Sequence, residues 1–170
     1  MPIVEHTAEV GGAIEDVFDL SQSYALRLDW DPFVRAQRIL GDATRADKDV
    51  RTETISRHRL RMVTRYLTFR RPTLVGMKME EGPPIFRTFS GSWRFEALAP
   101  DRTAVAFRYS FACRPKVLAP VMERIGRWYL GRDIERRLAA FKAACDDGAL
   151  LAAVRAERPA PDAHEVPGTL

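Results

Sequence analysis

PKVLAPVMERIGRWYLGRDIERRLAAFKAAC, residues 115–145, decides the fold. It reads as one helix of about 30 residues, roughly 45 Å long. Pro115 suits the opening turn, where a missing N–H breaks no intrahelical bond. Leu118, Met122, Ile125 and Tyr129 recur at steps of three and four, and Ile134, Leu138, Phe141 and Cys145 continue the stripe after a phase drift. Glu123, Arg124, Arg127, Arg132, Glu135 and Arg136 occupy the opposite face. A helix this long with one apolar face needs a wide partner surface. Residues 48–114, almost all strand-like, supply one. The expectation is an α+β chain in which a curved antiparallel sheet wraps round the C-terminal helix.

At 170 residues the chain is long enough for one domain with a substantial core, and 46% hydrophobic content fits an ordinary globule. Cys113 and Cys145 belong to no CxxC or metal-spaced group and read as buried free thiols. No N-terminal apolar run has the length of a leader or a membrane span, so the cytoplasm is the default location. The net charge of +4 is too mild to imply nucleic acid by itself.

Ile3 to Val10 alternates as a strand and is broken by Gly11-Gly12. Ala13 to Leu20 is a short amphipathic helix, with Glu15 and Asp16 in its first turn, where the helix dipole favours acids. Ser21 or Ser23 can restart a second helical turn towards Leu28, ended at Asp29-Trp30-Asp31-Pro32 because the residue before a proline leaves helical geometry. Strands follow at Phe33–Leu40, Val50–Arg57, Arg59–Phe69 and Thr73–Glu80. The second and third of these lack a turn signal between them and can equally be one long bent strand. The clearest strands come last: Phe89, Gly91, Trp93 and Phe95 alternate with polar residues, as do Val105, Phe107, Tyr109 and Phe111 with Ala106, Arg108, Ser110 and Ala112. Each has one dry face for the helix to cover. Beyond Asp146 the helix is expected to fray on through Arg155. Glu157 to Leu170, with three prolines and little apolar content, reads as a mobile tail. The domain accordingly spans 1–148, and 149–170 is an extension.

The order strand, two short helices, six strands, long helix resembles the SRPBCC superfamily: START-like lipid-binding domains, polyketide cyclases and dehydrases, and birch-allergen-like helix-grip proteins. The matching pieces are Asp16-Val17-Phe18-Asp19-Leu20, the Trp30-Asp31-Pro32-Phe33-Val34 corner, Phe89-Ser90-Gly91-Ser92-Trp93-Arg94-Phe95, Thr103 to Phe111 and the closing helix, over residues 2–146. These motifs are architectural and specify no reaction. The resemblance implies a helix-grip fold of about seven strands, with an elongated hydrophobic pocket between sheet and helix.

Candidate pocket residues are Phe89, Trp93, Phe95, Phe107, Tyr109 and Phe111 on adjacent strands, Met77 and Met79 beside them, and Met122, Ile125 and Tyr129 from the helix. Tyr66 shares parity with Thr64, Met62 and Leu60, which turns all four inward. Trp30 occupies the corner where relatives carry a loop over the pocket mouth. Aromatics and methionines make adaptable apolar walls; a solidly packed core is the plainer reading of the same pattern. Gly126 and Gly131 each cost the helix about 1 kcal/mol against alanine, which a close approach by a ligand or strand would explain. Gly91 reads as a bulge that bends the sheet.

Arg57, Arg59, Arg61 and Arg65 share parity in a stretch free of acids between Glu53 and Glu80. They read as a solvated outer face, with a polyanion site as the alternative and a carboxylate clamp at the pocket mouth if the register shifts by one. Three histidines at unrelated positions give no metal set, and no GxSxG, P-loop or GxGxxG occurs. Asp29 and Asp31 beside Pro32 read as turn chemistry. No catalytic residue, metal or cofactor is expected. The leading function is therefore binding of a hydrophobic, lipid- or polyketide-like molecule without evident catalysis. The alternatives are a polyketide cyclase, aromatase or dehydrase that works by shape, and an interaction domain that grips a polyanion through the Arg57–Arg65 strand. Nucleic acid is disfavoured as a partner, and the oligomeric state, homodimer included, stays open.

Overall fold

The computed structural model describes residues 1–115 and 117–158. Seven antiparallel strands form one sheet in the order β1-β7-β6-β5-β4-β3-β2. They are β1 Ile3–Gly11, β2 Val34–Leu40, β3 Arg51–Ser56, β4 Arg61–Arg70, β5 Leu74–Glu81, β6 Phe86–Ala99 and β7 Arg102–Cys113. Two short helices, α1 Ile14–Gln22 and α2 Arg27–Trp30, follow β1, and α3 Ala119–Asp147 and α4 Ala149–Glu157 close the described chain. After β2 the chain builds the sheet by neighbouring antiparallel pairings until β7 meets β1, which runs in register from Ile3 opposite Ser110 to Gly11 opposite Arg102.

The alternation in β6 and β7 sets the core. Phe89, Trp93, Phe95, Val105, Phe107, Tyr109 and Phe111 are all buried, while Arg94 and Glu96 face solvent. Trp93 stacks on Phe107 at 3.9 Å between ring centroids, and Trp30 lies edge-on to Trp93 and 4.7 Å from Phe141 of α3. The β3–β4 boundary is a true turn: Arg59 takes a left-handed conformation (φ 61°), and Ser56 N–H donates to the Leu60 carbonyl at 2.9 Å. Gly91 does not bend the sheet. It pairs regularly with Met77 and Tyr109, and the irregularities of β6 fall at Phe86/Thr88 and Ala97/Ala99.

The long helix differs from expectation at both ends. It opens at Ala119 with Pro120 in its first turn, and Pro115 lies outside it. It stops at Gly148, whose φ of 81° an ordinary residue adopts only with strain. Rather than fray on through Arg155, the chain starts α4, which docks on α1. Leu151 and Val154 are buried. Arg155 and Arg158 reach the buried Asp16 at 2.5 and 3.0 Å. Arg158 also reaches Asp19, which Arg71 grips with two nitrogens. Burial alone would raise the Asp19 carboxyl, but the two arginines overcome it and hold the group below its usual range. The expected mobile tail from residue 159 on lies outside the described residues.

The apolar stripe of α3 also needs correcting. From Tyr129 to Ile134 is a step of five, which rotates about 140° past a full turn. The face turned inward instead runs by fours through Met122, Gly126, Leu130, Ile134 and Leu138, joined by Arg137, Phe141 and Cys145. Ile125 is 60% exposed and Trp128 62%. Gly126 explains the close approach: a Cβ there would lie 2.8 Å from the ring of Phe111 on β7. A Cβ at Gly131 would meet only the Val4 side chain, at an ordinary 3.6 Å, so no close approach requires that glycine.

Candidate functional site

Between the sheet and α3 lies a cavity of about 290 Å³. At roughly 30 Å³ per water that is about ten waters' worth of space, the small end of the range for ligand pockets. Its wall is mostly apolar: Leu60 and Met62 of the β3–β4 arm, Met77 and Met79 of β5, Ile85, Phe86 and Phe89 at the start of β6, then Trp93, Phe107 and Leu130. Leu60, Ile85 and Tyr129 both line it and are exposed, so they mark the mouth.

Two polar groups interrupt that wall. The first centres on Arg137. Three residues after Ile134 and four before Phe141, this arginine occupies a stripe position, which forces it inside. It is buried and bonds through all three guanidinium nitrogens: Nε on Asp31 Oδ1 at 3.1 Å, Nη2 on Asp31 Oδ2 at 2.7 Å, and Nη1 on the Tyr109 hydroxyl. Arg27 adds a contact to Asp31 at 3.3 Å and donates to the Ser21 carbonyl at 2.6 Å. Asp133, one turn before Arg137, stands 3.9 Å from it and completes the group. The second polar group is Gln37, whose amide donates to Thr54 Oγ1 at 3.1 Å, together with Thr64, which shares a hydrogen bond with Thr52.

The two aspartates near Arg137 are driven apart. Burial would raise Asp31, but the charges of Arg137 and Arg27 win and lower it. Burial also raises Asp133, and there Arg137 does not fully compensate. Tyr109 is raised by burial. One carboxylate is therefore fixed as a structural anion, and the other binds its proton more readily than usual. That divergence is the physical pattern from which acid–base assignments start. Among the buried side-chain polar atoms of the described residues, Arg27 Nε, Trp30 Nε1, Gln37 Oε1 and Asp133 Oδ2 have no hydrogen-bond partner. Each such atom costs about 1–3 kcal/mol if nothing answers it.

The expected pocket residues divide. Met77, Met79, Phe89, Trp93, Phe107, Tyr109 and Tyr129 lie on the cavity wall. Trp30, Tyr66, Phe95, Phe111, Met122 and Ile125 do not. Trp30 is wedged between Trp93 and Phe141 under the Arg27 guanidinium. Tyr66 is fully buried, and its hydroxyl bonds Tyr24 at 2.9 Å and Gln22 at 3.1 Å. Phe95 packs on Phe18, Phe111 sits under Gly126, and Ile125 faces outward. Arg27, Gln37, Asp133 and Arg137 escaped the sequence reading because charged and amide side chains read as surface. The usable signal was Arg137 at a stripe position.

The arginine run is not one face. Arg57 and Arg59 fall in the β3–β4 turn, and His58 between them lies 6.4 Å from the Tyr129 ring, near the mouth. Arg61 bonds Glu53 at 2.5 Å and Glu81 at 2.7 Å, and Arg65 bonds Glu80 at 2.6 Å. Glu53 and Glu80 are held below their usual range by those hydrogen bonds. Cross-strand neutralisation of this kind leaves Arg61 and Arg65 little free charge to offer a polyanion.

The family model for polyketide cyclase / dehydrase and lipid transport proteins matches residues 1–146. The chain belongs to that family. No match was found among curated proteins. Solved structures with the same fold include a START superfamily protein from Mycobacterium smegmatis, with TM-score 0.70, 15% identity, and 85% of this chain and 97% of that one covered. The Zhui aromatase/cyclase from Streptomyces sp. R1128 matches at TM-score 0.62 with 22% identity over 97% and 99% of the two chains. A norcoclaurine synthase point mutant from Thalictrum flavum, in complex with a transition state analogue, matches at TM-score 0.64 and 10% identity over 85% and 93%. At these identities the likeness is one of fold, and the fold of this family member is helix-grip. No helix among the described residues is long and apolar enough to cross a membrane.

Proposed function

We propose that this family member binds a hydrophobic small molecule, lipid- or polyketide-like, in the cavity between the sheet and α3. The observation that carries the reading is the cavity itself: about 290 Å³ walled by five aromatics of β6 and β7 and three methionines, in a chain otherwise packed tightly around stacked rings. A mostly apolar space of this kind leaves its lining short of contacts that a ligand supplies. Membership of a family that includes lipid transport proteins supports the same reading.

Gly91 allows a direct test. It lines the cavity, and a Cβ there would meet the Tyr109 ring at 3.5 Å, an ordinary contact, so a side chain is accommodated by the backbone and fills the space. Gly91→Leu is expected to weaken binding of a fluorescent naphthalene probe by at least about tenfold, or ~1.4 kcal/mol, with the cooperative thermal transition retained. A folded Gly91→Leu protein that binds the probe as well as wild type would rule out this cavity as the site.

Cyclisation or dehydration of a polyketide-like chain in the same cavity is the second reading. It is supported by Tyr109, Asp133 and Arg137 on the wall, since a cavity of hydrocarbon alone would offer no proton exchange. Genes for a polyketide synthase beside this one would favour it. A neighbourhood of unrelated genes in every genome that carries the chain would speak against it.

A further inference from the structure

The first half of α3 carries two apolar stripes, and only one of them is covered. The inward stripe packs on the sheet. The outward one steps by four, three and four through Val121, Ile125, Trp128 and Arg132, which keeps it on a single face. Val121, Ile125 and Trp128 are 63%, 60% and 62% exposed, and the Arg132 guanidinium lies 5.4 Å from the Trp128 ring. Contiguous apolar exposure of this kind marks a surface that meets something. The closing helix α4 does not cover it, since α4 docks on α1 beyond the far end of α3.

Charge chooses the occupant. From Ala119 to Ile134 the exposed charged residues are Arg124, Arg127 and Arg132. The two acids of that span are half-buried: Glu123 accepts the Cys113 N–H at 3.3 Å, and Asp133 stands beside Arg137. A second copy docked two-fold on this stripe would set arginine against arginine. A bilayer with anionic lipid attracts each of them and takes a tryptophan at headgroup depth. The stripe also adjoins the cavity mouth. Tyr129, the neighbour of Trp128, lines the cavity, and the carbonyl of the mouth residue Ile85 accepts from Arg114 N–H at 2.8 Å, just ahead of the helix.

We propose that this half of α3 docks the protein flat on an anionic membrane surface, with Val121, Ile125 and Trp128 in the headgroup layer, the three arginines on lipid phosphates, and the cavity mouth held at the bilayer. The docking face goes beyond the cavity reading and does not depend on what fills the cavity.

The test mixes the full chain with vesicles of phosphatidylcholine, alone or with about 30% phosphatidylglycerol. Trp30 and Trp93 are buried, so a blue shift of tryptophan emission reports Trp128. The protein is expected to pellet with the anionic vesicles, with that shift, and to release them by about tenfold or more in ~0.5 M salt. Arg124→Gln with Arg132→Gln should weaken pelleting about thirtyfold, or ~2 kcal/mol, and Trp128→Ser about tenfold. These positions are exposed, so the thermal transition and binding of the naphthalene probe should be unchanged. Equal pelleting with both vesicles, pelleting with neither, or full pelleting of the Trp128→Ser protein overturns the docking inference and leaves the cavity reading standing. A Trp128 shift that follows protein concentration without vesicles overturns it too, and assigns the face to a second copy of the chain.

Discussion

Asp31→Ala is expected to cost about 3–5 kcal/mol of stability, the largest effect of any single polar change in this chain. The Asp31 side chain is fully buried and is the counter-ion of two buried cations, Arg137 at 2.7 Å and Arg27 at 3.3 Å. Its removal leaves Arg27 without a counter-ion and Arg137 with only the looser 3.9 Å contact of Asp133, and that penalty exceeds whatever the ion pair contributed when made. The pair Asp31→Leu with Arg137→Met should therefore recover part of the loss, because it replaces one of the two stranded charges by hydrocarbon and leaves only Arg27 without its counter-ion. Chemical denaturation of the single and double variants checks both expectations. Equal destabilisation of the two would show that shape, not charge, is what Asp31 supplies. The pH dependence has a definite sign. The folded-state pKa of Asp31 is lowered, so its contribution is complete above the ordinary carboxylate range near 3.9 and is lost as pH falls through the lowered value. The same holds for Asp19, which helps hold α4 through Arg158. Asp133, whose pKa is raised, runs the other way: it favours the folded state in acid and loses that advantage as pH climbs through its folded value.

Phe141→Ala should cost about 3–5 kcal/mol, whereas Ile125→Ala, on the same helix, should stay within about 0.5 kcal/mol. Phe141 is fully buried, 4.7 Å from Trp30 and 5.5 Å from Trp93 between ring centroids. Ile125 is 60% exposed. Paired urea denaturations measure the contrast. Similar costs at the two positions would mean that α3 is rotated from the orientation described here. The contrast matters for function because the same rotation carries Leu130, Asp133 and Arg137 onto the cavity wall.

Particular residues show where sequence reasoning holds. Period-two alternation placed Trp93, Phe107 and Tyr109 on the dry face without ambiguity, since only one parity of β6 and β7 is apolar. In α3 the apolar residues are too many. Val121, Ile125 and Trp128 form a second stripe that competes with the true one, and the true one contains Gly126 and Arg137, which hydropathy reads as breaks. The charged core stayed hidden for a related reason. Asp31 resembles a turn residue next to Pro32, and its partners Arg27 and Arg137 are 4 and 106 residues away. Pairing across such a distance leaves no local pattern. Tyr66 fails in the opposite direction: its parity is right, but Tyr24 and Gln22 of the early helical segment take its hydroxyl, and it lies outside the cavity wall.

The five methionines provide the most direct reading of the central claim. Met62, Met77 and Met79 line the cavity, Met1 is exposed, and Met122 lies on α3 off the cavity wall. In protein carrying ¹³C-methyl methionine, titration with 2-naphthol should shift the methyl signals of Met62, Met77 and Met79 together, saturating at one equivalent, with Met1 unmoved. Shifts confined to Met1 and Met122, or none at saturating probe, would place any ligand outside the space between sheet and helix and contradict the account.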